Sequence, residues 1–211
     1  MSAHGTLLAI IFHMRKMLLL LLLCIQINAF AQHGQKKDNF NTEVRAARGD
    51  LNGDGLIDKT IISMDTVDAS VPLRLQVFFG LPNNKYKLVV SSTRIIEPQY
   101  PKGGEYSGHQ VPYVEIKDGK LILMSDSGNG QSLHTFKYKN QNFELIHFLK
   151  TYWDGKNTTT ETVFDLLTGI KRVESKGLGS EKIIKKSTTK IWIRPLPKLQ
   201  DLTAFENKPY Y

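Results

Sequence analysis

The sequence predicts an all-β or mainly β fold: a single domain of about ten short antiparallel strands in consecutive hairpins, with few or no helices in the mature chain. Three observations carry this expectation. Apolar and polar residues alternate with a period of two over 73–79, 134–138 and 143–149, as half-buried strands require. Clusters of Gly, Pro, Asn and Asp interrupt the chain roughly every 8–12 residues. Residues 114–123 alternate on both sides of Asp118-Gly119, a pair suited to a type I′ turn, whose central residues need positive φ.

The chain opens with an export signal. Arg15 and Lys16 precede an uninterrupted apolar run over 17–25, and Ala29-Phe30-Ala31 supplies a small-x-small pattern before Gln32. Charged, apolar and cleavage segments in that order describe a cleavable signal peptide ending at Ala31, so the expected location is secreted or periplasmic. The run is shorter than the ~20 residues a membrane span needs, and an integral membrane protein is not expected. Residues 1–13 add nothing to the signal, and Met14 is the alternative initiator. Leu23 stands where a lipidated Cys24 would require a small residue, which argues against a lipid anchor.

Export changes the meaning of the composition. Cys24 is the single cysteine and departs with the signal, so no disulfide supports the mature chain, which must rely on its core or on a bound metal. The 180 residues from 32 to 211 suffice for one domain with a hydrophobic core. Removing Arg15 and Lys16 from 28 basic residues leaves 26 against 20 acidic, a net charge of +6. The excess gathers late, from Lys171-Arg172 to Lys198. Such a patch suits anionic glycans or surfaces, or is the solvated face of late strands. No interleaved aromatic stacking pattern accompanies it, so a nucleic-acid partner is not expected.

Residues 32–48 form a polar N-terminal segment, of which 41–48 suit a short helix or a strand equally. The β-rich domain follows over 49–211 and begins with a dense cluster of oxygen-bearing side chains at 50–58. Asp50, Asn52, Asp54 and Asp58 occupy positions one, three, five and nine of that stretch, and Gly55 occupies position six. Ca²⁺ takes six to eight oxygen ligands at roughly 2.3–2.6 Å. Alternating side chains followed by a sharp turn can gather that many, with the Leu56 carbonyl joining the four side chains. Gly55 permits the positive φ of the turn. The competing reading is an Asp/Asn/Gly turn that binds nothing.

The loop is not an EF-hand. Position twelve is Ile61, where an EF-hand needs a bidentate Glu, and 60–64 is β-branched and apolar, as in a strand. Over residues 49–64, loop followed directly by strand resembles the calcium loop of FG-GAP/VCBS-type repeats in secreted and adhesive proteins. The chain also resembles small exported bacterial proteins that open with such a segment and continue through β-hairpins. Both resemblances imply a structural Ca²⁺ in a β domain, and neither implies an activity. The loop occurs once, so a propeller of tandem blades is not expected.

Hairpins continue down the chain. Leu73, Leu75, Val77 and Phe79 alternate with polar neighbours, 80–84 turns, and Tyr86, Leu88 and Val90 return. Residues 93–112 are rich in Pro and Gly and lack periodicity, which is long for a loop in a small domain. Tyr100 and Tyr106 within it, and Tyr113 just beyond, are candidate contacts for a protein or glycan partner, or else plugs at the end of the core. Residues 125–132 read as a loop whose Gly128-Asn129-Gly130 lacks the Lys-Ser/Thr of a phosphate cradle. Residues 139–142 turn the chain between two strands, and Ile146 and Phe148 suggest that the second is buried on both faces. Strands at 158–165 and 170–174 flank the turn 167–169, and the last strands are expected at 183–184 and 188–194. A short helical turn fits 199–206.

Catalytic motifs are scarce. There is no Gly-x-Ser-x-Gly, no His-Glu-x-x-His and no reactive cysteine in the mature chain. His109, His134 and His147 follow no zinc-ligand spacing. Glu97, Glu105, Asp126 and Asp154 sit in predicted loops, from which a glycosidase-like pair could be drawn without any residue being singled out. Asn157-Thr158-Thr159 is a glycosylation sequon. Two functions remain: a non-catalytic exported calcium-binding β domain that binds a protein or glycan partner, and a secreted hydrolase of glycans or peptides with structural Ca²⁺.

Overall fold

The computed structural model divides into two units, residues 1–38 and 39–211. The structure describes residues 39–67, 73–97, 99–100, 105–108 and 110–202, all in the second unit. The expected signal peptide, His109 and residues 203–206 of the predicted turn at 199–206 lie outside the described residues, while Leu199–Asp201 form a single 3₁₀ turn. No described helix is long and apolar enough to cross a membrane.

The second unit is built from eleven described strands in two antiparallel sheets. The first holds β1 (Thr42–Gly49), β2 (Asp58–Met64), β3 (Arg74–Leu81) and β4 (Lys85–Ser92), paired in that order. The second holds β5 (Tyr113–Lys117), β6 (Lys120–Ser127), β7 (Gly130–Lys139), β8 (Asn142–Trp153), β9 (Thr158–Asp165), β10 (Ile170–Gly177) and β11 (Ile183–Lys190), again each beside its sequence neighbour. Each sheet is a meander of consecutive hairpins, as the alternation and turn spacing predict. Asp118 and Gly119 have φ of 50° and 67°, both positive as a type I′ turn requires.

One core joins the sheets. Ile62, Leu75, Val77 and Val90 come from the first, and Leu121, Leu123, Phe136, Leu145, Phe148 and Phe164 from the second. Ile95 and Ile96, from the long connection after β4, are buried in the same cluster. That connection therefore caps the core through isoleucines, while Tyr100 and Tyr106 stay exposed at 42% and 54%. β1 and β5 run side by side without pairing. A Cβ placed on Gly49 would lie 2.6 Å from Ile116 Cγ2 and 3.2 Å from Ile116 Cβ. Because a β-branched side chain yields little, Gly49→Ala is expected to cost about 1–2 kcal/mol of stability, read from urea unfolding.

Several local expectations change. Residues 41–48 take the strand rather than the helix, pairing with β2 from Thr42↔Met64 to Gly49↔Asp58. The strand expected to be buried on both faces is instead bulged. Thr135 pairs with His147 but Phe136 pairs with Leu145, leaving Ile146 as the extra residue. The bulge shifts the side-chain phase, so Leu145 and Phe148 both reach the core although three residues apart. A second bulge at Val89 breaks the alternation of β4 and leaves Leu88 47% exposed beside a buried Val90. Residues 125–132 are not a loop, because β6 and β7 extend to a two-residue turn at Gly128-Asn129. In place of the expected strands at 183–184 and 188–194 there is one strand, β11, which ends at Lys190 and leaves 191–194 outside the strand.

Candidate metal centre

The loop between β1 and β2 is shaped by its own carboxylates. Asp50 Oδ1 accepts from Gly53 N at 2.7 Å, and Asp50 Oδ2 accepts from Gly55 N at 2.9 Å. Asn52 Oδ1 accepts from Asp54 N at 3.0 Å, and Asn52 Nδ2 donates to Asp54 Oδ2 at 2.9 Å. Asp54 Oδ1 accepts from Leu56 N at 2.8 Å. Gly53 and Gly55 carry φ of 81° and 80°, the left-handed conformation that only glycine adopts without cost. These N–H groups hold the Asp50 carboxyl below its ordinary range, Gly55 contributing most and partial burial opposing it.

Asp58 behaves differently. It opens β2, pairs with Gly49 across the hairpin and is fully buried. Its Oδ2 accepts from Leu51 N at 2.7 Å and its Oδ1 from Gly80 N at 2.8 Å, so one carboxylate ties the loop to the far end of β3. Burial pushes its pKa up, the two N–H groups pull it down, and the Asp54 and Asp50 charges push it up again. Among the described residues no Lys or Arg is paired with it.

Sequence reasoning missed three residues that seat this loop. Leu51, only 3% exposed, pins it to the core. A Cβ on Gly80 would stand 2.6 Å from the Ile57 carbonyl oxygen, so only glycine lets β3 approach. A glycine inside the apolar run Phe78-Phe79-Gly80-Leu81 is the signal that could have found it. Gly119, at the β5–β6 turn, would place a Cβ 3.8 Å from the Asp50 carbonyl oxygen, so the second sheet also borders the loop.

Among the described residues no three His, Cys, Asp or Glu side chains are gathered as a metal cluster. The oxygens of Asp50, Asn52, Asp54 and Asp58 are turned onto backbone N–H groups, and the Leu56 residue is partly exposed. The donor set still fits a hard cation: it is all oxygen, it carries three carboxylates, and each carboxylate oxygen keeps a second lone pair.

The other candidates do not assemble. His134 faces the core beside Phe148, at 5.0 Å between ring centroids. His147, next to Phe148 along β8, points to the opposite face, so these two histidines cannot share a zinc ion. Asp154 Oδ1 accepts from Lys156 N and Thr158 N and serves its turn, while Asp126 Oδ1 accepts from Gln131 Nε2. Tyr100 and Tyr106 meet at 5.7 Å, whereas Tyr113 lies under the Arg45 guanidinium at 4.9 Å. An open groove of about 590 Å³ between β4 and the β7–β8 turn is lined by Phe79, Leu88, Val90, Tyr138 and Phe143, with Lys87 the only ionisable side chain besides the tyrosine. That lining offers no acid–base pair. Comparison with family models, with curated proteins and with solved structures finds no match to this chain.

Proposed function

We propose that this chain is an exported calcium-binding β domain that acts by binding a protein or glycan partner rather than by catalysis. Asp50, Asn52, Asp54 and Asp58 would hold Ca²⁺ with the Leu56 carbonyl. The observation that carries the reading is Asp58, a fully buried carboxylate that is paired with no Lys or Arg among the described residues and whose pKa the Asp54 and Asp50 charges help to raise. A buried charge is costly unless something of opposite sign compensates it. Bound to the folded form alone, Ca²⁺ would add stability by mass action and stand in for the missing disulfides. The exposed pair Tyr100 and Tyr106, with Tyr113 beside Arg45, offers aromatic surface for the partner.

Thermal unfolding in EDTA and in millimolar Ca²⁺ tests the metal. At a concentration 100-fold above Kd the ion adds about 2.7 kcal/mol, which corresponds to a rise in Tm of about 5–10 °C for a domain of this size. Asp54→Ala is expected to abolish that rise while costing under ~1 kcal/mol in EDTA, since Asp54 is exposed and bonds only within the loop. Equal Tm in the two buffers for the unmutated protein would refute the reading.

A further inference from the structure

The seven-stranded sheet ends in a strand with no buried residue. All eight residues of β11 are exposed, Ile184 to 64%, and among the described strands β11 pairs with β10 alone. Its ladder has a defined phase. Ile191 N donates to Gly169 O at 2.7 Å, so Gly169 and Ile191 form a hydrogen-bonded pair. In an antiparallel ladder such pairs alternate with non-bonded ones. Lys171↔Thr189 and Val173↔Ser187 are therefore bonded across β10, while Ile170↔Lys190, Arg172↔Thr188 and Glu174↔Lys186 are not. The N–H and C=O groups of Lys186, Thr188 and Lys190 thus point away from β10, along the open edge of the sheet.

The charge around this edge is one-sided. Residues 170–194 carry eight Lys and Arg against two Glu, a net +6. Both glutamates are already engaged, Glu174 by Lys186 at 2.5 Å and Glu181 by Lys176 at 3.0 Å. Lys182 and Lys185 have no carboxylate partner among the described residues. A second copy pairing edge to edge would set these lysines against one another, and like charges opposite each other destabilise a sheet. An acidic strand meets the opposite situation, with main-chain bonds supplying attachment and charge supplying selectivity.

We propose that the free edge of β11 accepts an extended acidic polypeptide segment as an added strand. β11 shares no residue with the loop at 50–58, so peptide binding and Ca²⁺ binding can fail independently. The purified protein is titrated by calorimetry and by amide NMR with a peptide of about eight residues, matching the length of β11 and alternating glutamate with valine. Its lysine-for-glutamate counterpart, heparin and phosphatidylglycerol vesicles are run beside it. The acidic peptide is expected to bind and to shift the amides of Lys186, Thr188 and Lys190, and the lysine peptide not to bind.

Thr188→Pro removes an outward N–H, the one place where an edge strand tolerates proline. It should weaken peptide binding by roughly tenfold or more, as loss of hydrogen bonds implies, while leaving charge unchanged. Lys185→Glu with Lys190→Glu, both at exposed positions, should weaken it by a similar factor even if the proline variant proves unstable. The proposal is overturned by failure of the acidic peptide to bind, or by equal binding of the lysine peptide. It is equally overturned if a folded Thr188→Pro protein keeps wild-type affinity, or if heparin or vesicles bind and displace the peptide without regard to that substitution, because charge alone would then account for the surface.

Discussion

Replacing Asp58 with alanine is expected to lower the folding free energy by about 3–5 kcal/mol, because it strands two buried N–H groups at once. Leu51 N and Gly80 N both donate to this carboxylate, and both bonds are buried. Each orphaned donor costs about 1–3 kcal/mol, and no side-chain oxygen remains to replace the pair. Asp58→Asn keeps the shape and one oxygen acceptor, but sets an amide N–H₂ against the other donor, so an intermediate loss is expected. Urea unfolding in EDTA measures both without interference from metal. A loss below about 1 kcal/mol for the alanine variant would mean that the carboxylate does not hold β3 to the loop.

Acid should destabilise the protein over a defined window through His134. Its ring is 8% exposed, lies between Phe136 and Phe148, and leaves Nδ1 without a hydrogen-bond partner. Burial therefore lowers its pKa from 6.5 to about 4. The folded state refuses a proton that the unfolded state takes, so this stability is fully present above pH 6.5 and is lost as pH falls through 4. A depression of that size corresponds to about 3 kcal/mol. His147 acts in the same direction, lowered by burial with Asp165 opposing. Asp58 acts in the opposite one: its raised pKa favours the folded form below 3.8, and that advantage fades as pH rises through the folded value. Denaturant unfolding between pH 8 and pH 4 should show the histidine loss. His134→Leu, which needs no proton and no partner, should flatten it; an unchanged slope in that variant would remove His134 as the cause.

Alternation was a sound guide to strands and a poor guide to the residues at bulges. The period of two at 73–79 and the positive-φ pair Asp118-Gly119 depend only on local stereochemistry, and both appear where the residues place them. Ile146 and Val89 are different, because an extra residue on one strand is defined by the partner's register and not by the strand's own sequence. For the same reason Ser125 and Ser132 read as loop by composition, yet pair with each other in the ladder of β6 and β7. In the loop between β1 and β2, the oxygen-bearing residues and the need for glycine at position 55 were legible. The separate status of Asp58 was not, since its burial comes from Gly80 and Leu51, 22 and 7 residues away.

By itself, then, the chain determined that it would be built of hairpins and that a cluster of oxygen-bearing side chains would sit between the first two strands, because period, turn chemistry and residue spacing are properties of neighbours. The tertiary structure decided which carboxylate is sealed from water, which isoleucines close the core, and which basic strand is left with an open edge. Those outcomes depend on what comes to lie opposite each residue, and that is settled only when distant segments compete for the same buried volume and the same hydrogen-bonding groups.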